Sequence, residues 1–105
     1  MITIELLYFD GCPSWKHAWD DLGLVIAETG VDANVRLRNI EALPSAELEG
    51  FAGSPSVRID GLDLEAYDGP PVVACRRYED NESRGWPSIT LLRERLSTAK
   101  REETA

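Results

Sequence analysis

Cys12 and Cys75 are the side chains of this chain best suited to covalent chemistry. Cys12 stands in Asp10-Gly11-Cys12-Pro13-Ser14-Trp15, between a run of apolar residues and an amphipathic one. If the first run is a strand and the second a helix, Cys12 lies at a helix N-terminus. Unpaired N–H groups and a partial positive charge there favour a thiolate over a thiol. A lowered thiol pKa and a nucleophilic sulfur are therefore expected at Cys12. Pro13 suits the first helical position, where its missing N–H is not needed. Lys16 adds a positive charge about one turn along, and Asp10 opposes it. The ordinary alternative is a small buried filler, as free cysteines often are.

The elements that must position Cys12 follow from periodicity. Ile2 to Phe9 is a β-branched and aromatic run, expected to be a strand near the centre of a sheet. Trp15, Ala18, Trp19, Leu22, Val25 and Ile26 fall on one helical face, and Gly30 stops the helix. Ala33 to Ile40 alternates, with Val35 and Leu37 on one face and Arg36 and Arg38 on the other, as in a strand nearer an edge. Strand, helix and strand make a βαβ unit. Pro44 and Ser45 open a short helical turn over Ala46–Glu49. Ser56–Ile59 and Leu62–Glu65 flank Asp60-Gly61, a hairpin signal. Residues 67–86 show little periodicity, although the apolar island Val72-Val73-Ala74-Cys75 predicts that part of them packs. Pro87 and Ser88 open a last helix with Ile89, Leu92 and Leu96 facing inward. The expected class is α/β, with a four-stranded mixed sheet flanked on both faces by helices in the order β-α-β-α-β-β-α. One domain spans residues 1–99, and residues 100–105 form a frayed tail.

Composition limits the partners. Nineteen acidic residues against 11 basic give a net charge of −8. Such a chain is poorly suited to nucleic acid or an anionic membrane surface. Apolar residues make up 43% and charged residues 29%, an ordinary globular balance that argues against disorder. Two cysteines are too few for a disulfide scaffold or a zinc ribbon. No apolar run approaches the roughly 20 residues of a membrane span. The opening Met1-Ile2-Thr3-Ile4-Glu5 does not look like a signal peptide, so a cytoplasmic, reducing location is expected.

Over about residues 2–98 the chain resembles the thioredoxin and glutaredoxin superfamily. Cys12-Pro13-Ser14-Trp15 occupies the place of that family's Cys-x-x-Cys, after the first strand. Gly53-Ser54-Pro55-Ser56-Val57-Arg58-Ile59-Asp60-Gly61 is similar to its segment with a cis-proline before the third strand. Phe9 to Trp15 also resembles a group of short bacterial thioredoxin-like proteins. The resemblance implies a thioredoxin-like fold and a cis Ser54–Pro55 bond facing Cys12. The expected substrate contact surface includes Pro13, Trp15, Ser54 and Pro55, with Trp15 in the first turn as an apolar wall; the ordinary reading of Trp15 is core packing. Trp15 stands where the family has its second cysteine, the thiol that resolves a mixed disulfide. Cys75 is a candidate for that missing role, because the fourth strand returns the chain toward Cys12. Its alternative is to pack as a plain apolar residue with Val72 and Val73.

The reading is a thiol–disulfide oxidoreductase with Cys12 as nucleophile and Cys75 as resolving thiol. Its partner is a thiol or disulfide, protein or small molecule. Glutathione is a candidate, although the two-glycine segment that glutaredoxins use is not evident. No cofactor is required. Two alternatives stay open: a non-catalytic binding module, and capture of a soft metal or organometal by Cys12 with Cys75. His17 is expected to be solvated, with minor readings as a base for Cys12 or a third metal ligand. Trp19 and Trp86 are expected in or capping the core. Arg76, Arg77 and Arg84 form a basic island, either a solvated loop or an anion-binding rim near Cys12.

Overall fold

The computed structural model describes residues 1–104. Among the described residues, four strands and two α-helices run in the order β1 (Ile2–Tyr8), α1 (Trp15–Thr29), β2 (Ala33–Asn39), β3 (Ser56–Ile59), β4 (Leu62–Asp63) and α2 (Ile89–Thr104). Short 3-10 turns occupy Ile40–Ala42, Ser45–Leu48 and Glu79–Asn81. The sheet order is β2-β1-β3-β4. β1 and β2 are parallel, with Ile4 opposite Val35. β3 runs antiparallel to β1, and β4 antiparallel to β3. The expected α/β class with a mixed four-stranded sheet is observed.

The central position of β1 follows from its sequence. Ile2, Ile4 and Leu6 point to one face and are buried with Ala18, Leu22 and Val25 of α1 and Leu91, Leu92 and Leu96 of α2. Leu7 points to the other face and packs with Ile40 and Phe51. Both α-helices therefore contribute to the core on one face. Helices on both faces were expected; instead, the second face is covered by the 40–51 segment, with its two 3-10 turns. That face is also partly polar. Arg38 donates to Glu5 at 2.8 Å and to Glu47 at 3.2 Å, and Arg58 donates to the carbonyls of Glu47 and Glu49. Polar groups satisfied in this way need no helix to cover them.

Several boundaries differ from the sequence expectation for local reasons. α1 begins at Trp15 with Ser14 as its N-cap, so Pro13 lies just outside the helix instead of in its first turn. Val35 packs against the core, but Leu37 on the β2 edge is exposed. The predicted partner strand Leu62–Glu65 ends at Asp63. There the Asp63 carboxylate accepts from the Glu65 N–H at 2.9 Å, and Ala66 takes a positive φ of 54°. This local turn breaks the alternation, leaving Leu62 exposed and Leu64 buried. In α2 the inward residues are Leu91, Leu92 and Leu96, while Ile89 is exposed at the first turn. The tail expected to fray is helical through Thr104. Lys100 Nζ donates to the Thr29 carbonyl at 2.8 Å, and Glu103 pairs with the amino group of Met1 at 3.1 Å.

Candidate functional site

Cys12 sits in the turn between β1 and α1, its N–H donating to the Phe9 carbonyl at 3.2 Å. Its thiol donates to the Ser54 carbonyl at 3.2 Å. The Ser54–Pro55 peptide is cis, so the resemblance's expectation of a cis-proline beside Cys12 matches the geometry. Cys12 is only 1% exposed, as the alternative of a buried cysteine has it, and not open to solvent at the helix start.

The cover over Cys12 is the segment that sequence periodicity left unread. Ser54 N donates to the Ala74 carbonyl at 2.9 Å, and Arg76 N donates to the Ser54 carbonyl at 2.9 Å. These two bonds form a parallel bridge between Ser54 and Cys75. Farther along, Tyr78 and Arg84 form an antiparallel bridge, and Asn81 Nδ2 donates to the Trp86 carbonyl at 3.0 Å. Gly85 then lies against Ser14 so closely that a Cβ there would collide with its side chain.

Two buried side chains hold this cover down. Arg76 donates from Nη1 to Asp63 Oδ2 at 2.7 Å and from Nη2 to Asp63 Oδ1 at 2.8 Å, a bidentate pair. It also donates to Glu65 at 3.0 Å and to Ser56 Oγ at 3.0 Å. Burial disfavours the Arg76 charge, but these partners outweigh it and hold the guanidinium pKa above its usual value. The guanidinium lies 4.4 Å from the centroid of the Tyr78 ring. Tyr78 is fully buried, and its hydroxyl donates to the Pro55 carbonyl at 2.7 Å. Burial first, then the nearby acidic charges, push the Tyr78 phenol well above its usual value despite Arg76. No buried side-chain nitrogen or oxygen among the described residues lacks a partner.

Along 75–78, exposed and buried residues alternate: Cys75 and Arg77 are exposed, Arg76 and Tyr78 buried. Cys75 is nevertheless bridged to Ser54, the residue whose carbonyl accepts from the Cys12 thiol, so both cysteines adjoin Ser54. Hydrogen bonding with the Cys12 side chain, then desolvation, then electrostatic interaction with Cys12 push the Cys75 thiol above its usual value. Both cysteines are free. The structure thus brings together the two cysteines, one buried and one exposed.

Other residues singled out by sequence fall differently. Ser54 and Pro55 are buried beneath 74–78, Pro13 is exposed and Trp15 is half-buried, so these four do not share an open contact surface. Trp15 stacks on Tyr8 with ring centroids 4.3 Å apart. Trp19 and Trp86 pack against the core. His17 stacks on Trp86 at 3.9 Å and pairs with Asp21 at 3.1 Å. Among the described residues no three His, Cys, Asp or Glu side chains converge as metal ligands, so a Cys12–His17–Cys75 set is not assembled. Val72 and Val73 are 43% and 65% exposed, so the apolar island does not pack and Cys75 is not buried with it. The basic island does not form a rim: Arg76 is committed to Asp63 and Glu65, and Arg84 pairs with Glu82 at 3.7 Å.

Sequence reasoning missed Asp63, Glu65 and Tyr78. The available signal was an acidic pair, Asp63 and Glu65, just after the hairpin turn, and Arg76 and Tyr78 two apart, at strand spacing, beside Cys75. The chain matches no protein-family model, no curated protein and no solved structure. No helix of the described residues is long and apolar enough to cross a membrane.

Proposed function

We propose that this chain is a thioredoxin-like thiol–disulfide exchange protein whose redox couple is Cys12 and Cys75. The observation that carries the reading is that both cysteines adjoin Ser54: its carbonyl accepts from the Cys12 thiol at 3.2 Å, and its backbone is bridged to Cys75. The strand order β2-β1-β3-β4, with one parallel and two antiparallel pairings, supports the thioredoxin-like part of it. So does the position of the cysteine between the central strand and the first helix.

The chemistry requires a thiolate, a second thiol within reach and an incoming disulfide. One protein sulfur displaces one substrate sulfur, forming a mixed disulfide and releasing the first substrate thiolate. The other protein sulfur then attacks the mixed disulfide and releases the second substrate thiolate. The substrate disulfide gains two electrons, and the protein ends with a Cys12–Cys75 bond. A second dithiol returns the protein to its reduced form. The substrate class is a disulfide of a protein or a small molecule, with glutathione disulfide as the simplest probe. A cytoplasmic, reducing location would favour the dithiol form.

Equilibration in glutathione buffers of graded potential tests the reading. The expected result is a single two-electron transition between free thiols and a Cys12–Cys75 disulfide, with a tenfold change in equilibrium constant per about 30 mV. Persistence of two free thiols, or of separate glutathione adducts, across the whole range would exclude the couple.

A further inference from the structure

The order of attack follows from which sulfur is accessible. Cys12 is 1% exposed, and its thiol is turned into the fold toward the Ser54 carbonyl. The backbone at 74 and 76 is bonded to both sides of Ser54, and the side chains of Arg76 and Tyr78 anchor the same run from beneath. An external disulfide cannot reach Cys12 while this run is in place. Cys75 is the exposed cysteine of the pair, and its bridge to Ser54 sets it beside the residue to which the Cys12 thiol is bonded.

Resting on the exchange chemistry proposed above, we infer that Cys75 is the thiol that first takes the substrate sulfur and that Cys12 is the resolving thiol. This reverses the roles expected from sequence. The Cys75 thiolate attacks the substrate disulfide, forming a Cys75–substrate bond and releasing one substrate thiolate. Cys12 then attacks the Cys75 sulfur, its thiol proton passing to the departing substrate sulfur. The Cys12–Cys75 bond forms and the second substrate sulfur leaves as a thiol. Two electrons pass from the protein thiols to the substrate. Attack by Cys12 requires no exposure to bulk solvent, because its target is carried on the run bridged to Ser54, where the Cys12 thiol is already bonded.

The arrangement also gives Arg76 a purpose. A buried, bidentate arginine fixes the backbone next to Cys75 and keeps the receiving thiol over its partner. Arg76 is a positioning residue, since it touches neither sulfur in the contacts described.

The test uses glutathione disulfide on the full chain, with Cys12→Ala and Cys75→Val; valine keeps the cover over Cys12 close to its native bulk. Acid quenching and peptide mapping identify the modified cysteine, and urea unfolding of each variant verifies that it is folded. Cys12→Ala should accumulate a stable glutathione adduct on Cys75 at least as fast as the first step in the parent protein. Cys75→Val should react about tenfold or more slowly, because access to Cys12 then waits on local opening. In the parent protein, the earliest quenched samples should carry glutathione on Cys75. Early adducts on Cys12, with rapid reaction of Cys75→Val, would overturn the assigned order while leaving the exchange reading intact. Failure of the parent protein to form a Cys12–Cys75 disulfide, with no adduct at either position, would overturn both.

Discussion

Replacing Arg76 by methionine should strongly destabilise the fold and uncover Cys12. The side chains of Arg76 and Asp63 are 6% and 1% exposed, and the pair is bidentate at 2.7 and 2.8 Å. Two unit charges about 4 Å apart attract by about 4 kcal/mol at an effective dielectric constant of 20. Removing one partner leaves the buried Asp63 carboxylate accepting from the Glu65 N–H, with the Glu65 carboxylate close by. Breaking a buried pair in this way costs about 3–5 kcal/mol. A domain of this size has only about 5–15 kcal/mol in all. Urea unfolding followed by tryptophan fluorescence measures the loss. Asp63→Leu combined with Arg76→Met leaves no uncompensated charge and should recover most of it. The same single variant should alkylate faster at Cys12, because the run over the thiol loses its anchor. A loss below about 1 kcal/mol, or a double variant no better than the single one, would refute the assignment of this pair as the anchor.

Three further outcomes follow from the same site. Gly53→Ala should open the cover, because Gly53 has φ +109° and an added Cβ would lie 2.9 Å from the Ala74 carbonyl oxygen. A cost of about 1–3 kcal/mol and faster alkylation of Cys12 are expected, and unchanged alkylation would count against it. Cys12→Ala removes the largest cause of the raised Cys75 pKa, the hydrogen bond with the Cys12 side chain. The pH profile for Cys75 alkylation should therefore move to lower pH than in the parent protein; a shift upward, or none, would contradict the pairing. Tyr78 holds its proton more tightly folded than unfolded. The stability this contributes is complete below the ordinary tyrosine pKa of about 10 and is lost as pH rises beyond it. Tyr78→Phe should cost about 1 kcal/mol at pH 7 for the lost bond to Pro55 and should flatten the alkaline fall in stability. An equally steep alkaline fall in the variant would argue against that proton linkage.

Much of the scaffold was legible in the chain because short-range patterns decide it. The apolar run of β1, the helical stripe from Ala18 to Val25 and the Asp60-Gly61 turn each specify one local solution. Asp60 and Gly61 do take positive φ values of 50° and 84°. The 67–86 segment was not legible, since long-range bonds hold it in place of a repeating apolar face. Its anchors are an arginine and a tyrosine whose partners lie 13 and 23 residues away in sequence. The nearby valines, which signalled packing, are the exposed residues. Burial of Cys12 follows from that same segment, so a reading of residues 10–15 alone could place the cysteine at the helix start but not close the surface above it. Helical coverage of the second sheet face failed for a related reason. Arg38, Glu5 and Glu47 satisfy one another there, so less apolar surface needs a cover.

The most direct measurement is peptide mapping of the protein after mild oxidation by glutathione disulfide, alkylation of remaining thiols and trypsin digestion. Cleavage after Lys16, Arg58 and Arg76 places Cys12 in the fragment 1–16 and Cys75 in the fragment 59–76. The account predicts one species in which these fragments are joined, lighter than their sum by two hydrogen atoms and separated by a reductant. Both fragments recovered unlinked and fully alkylated after prolonged oxidation would contradict it.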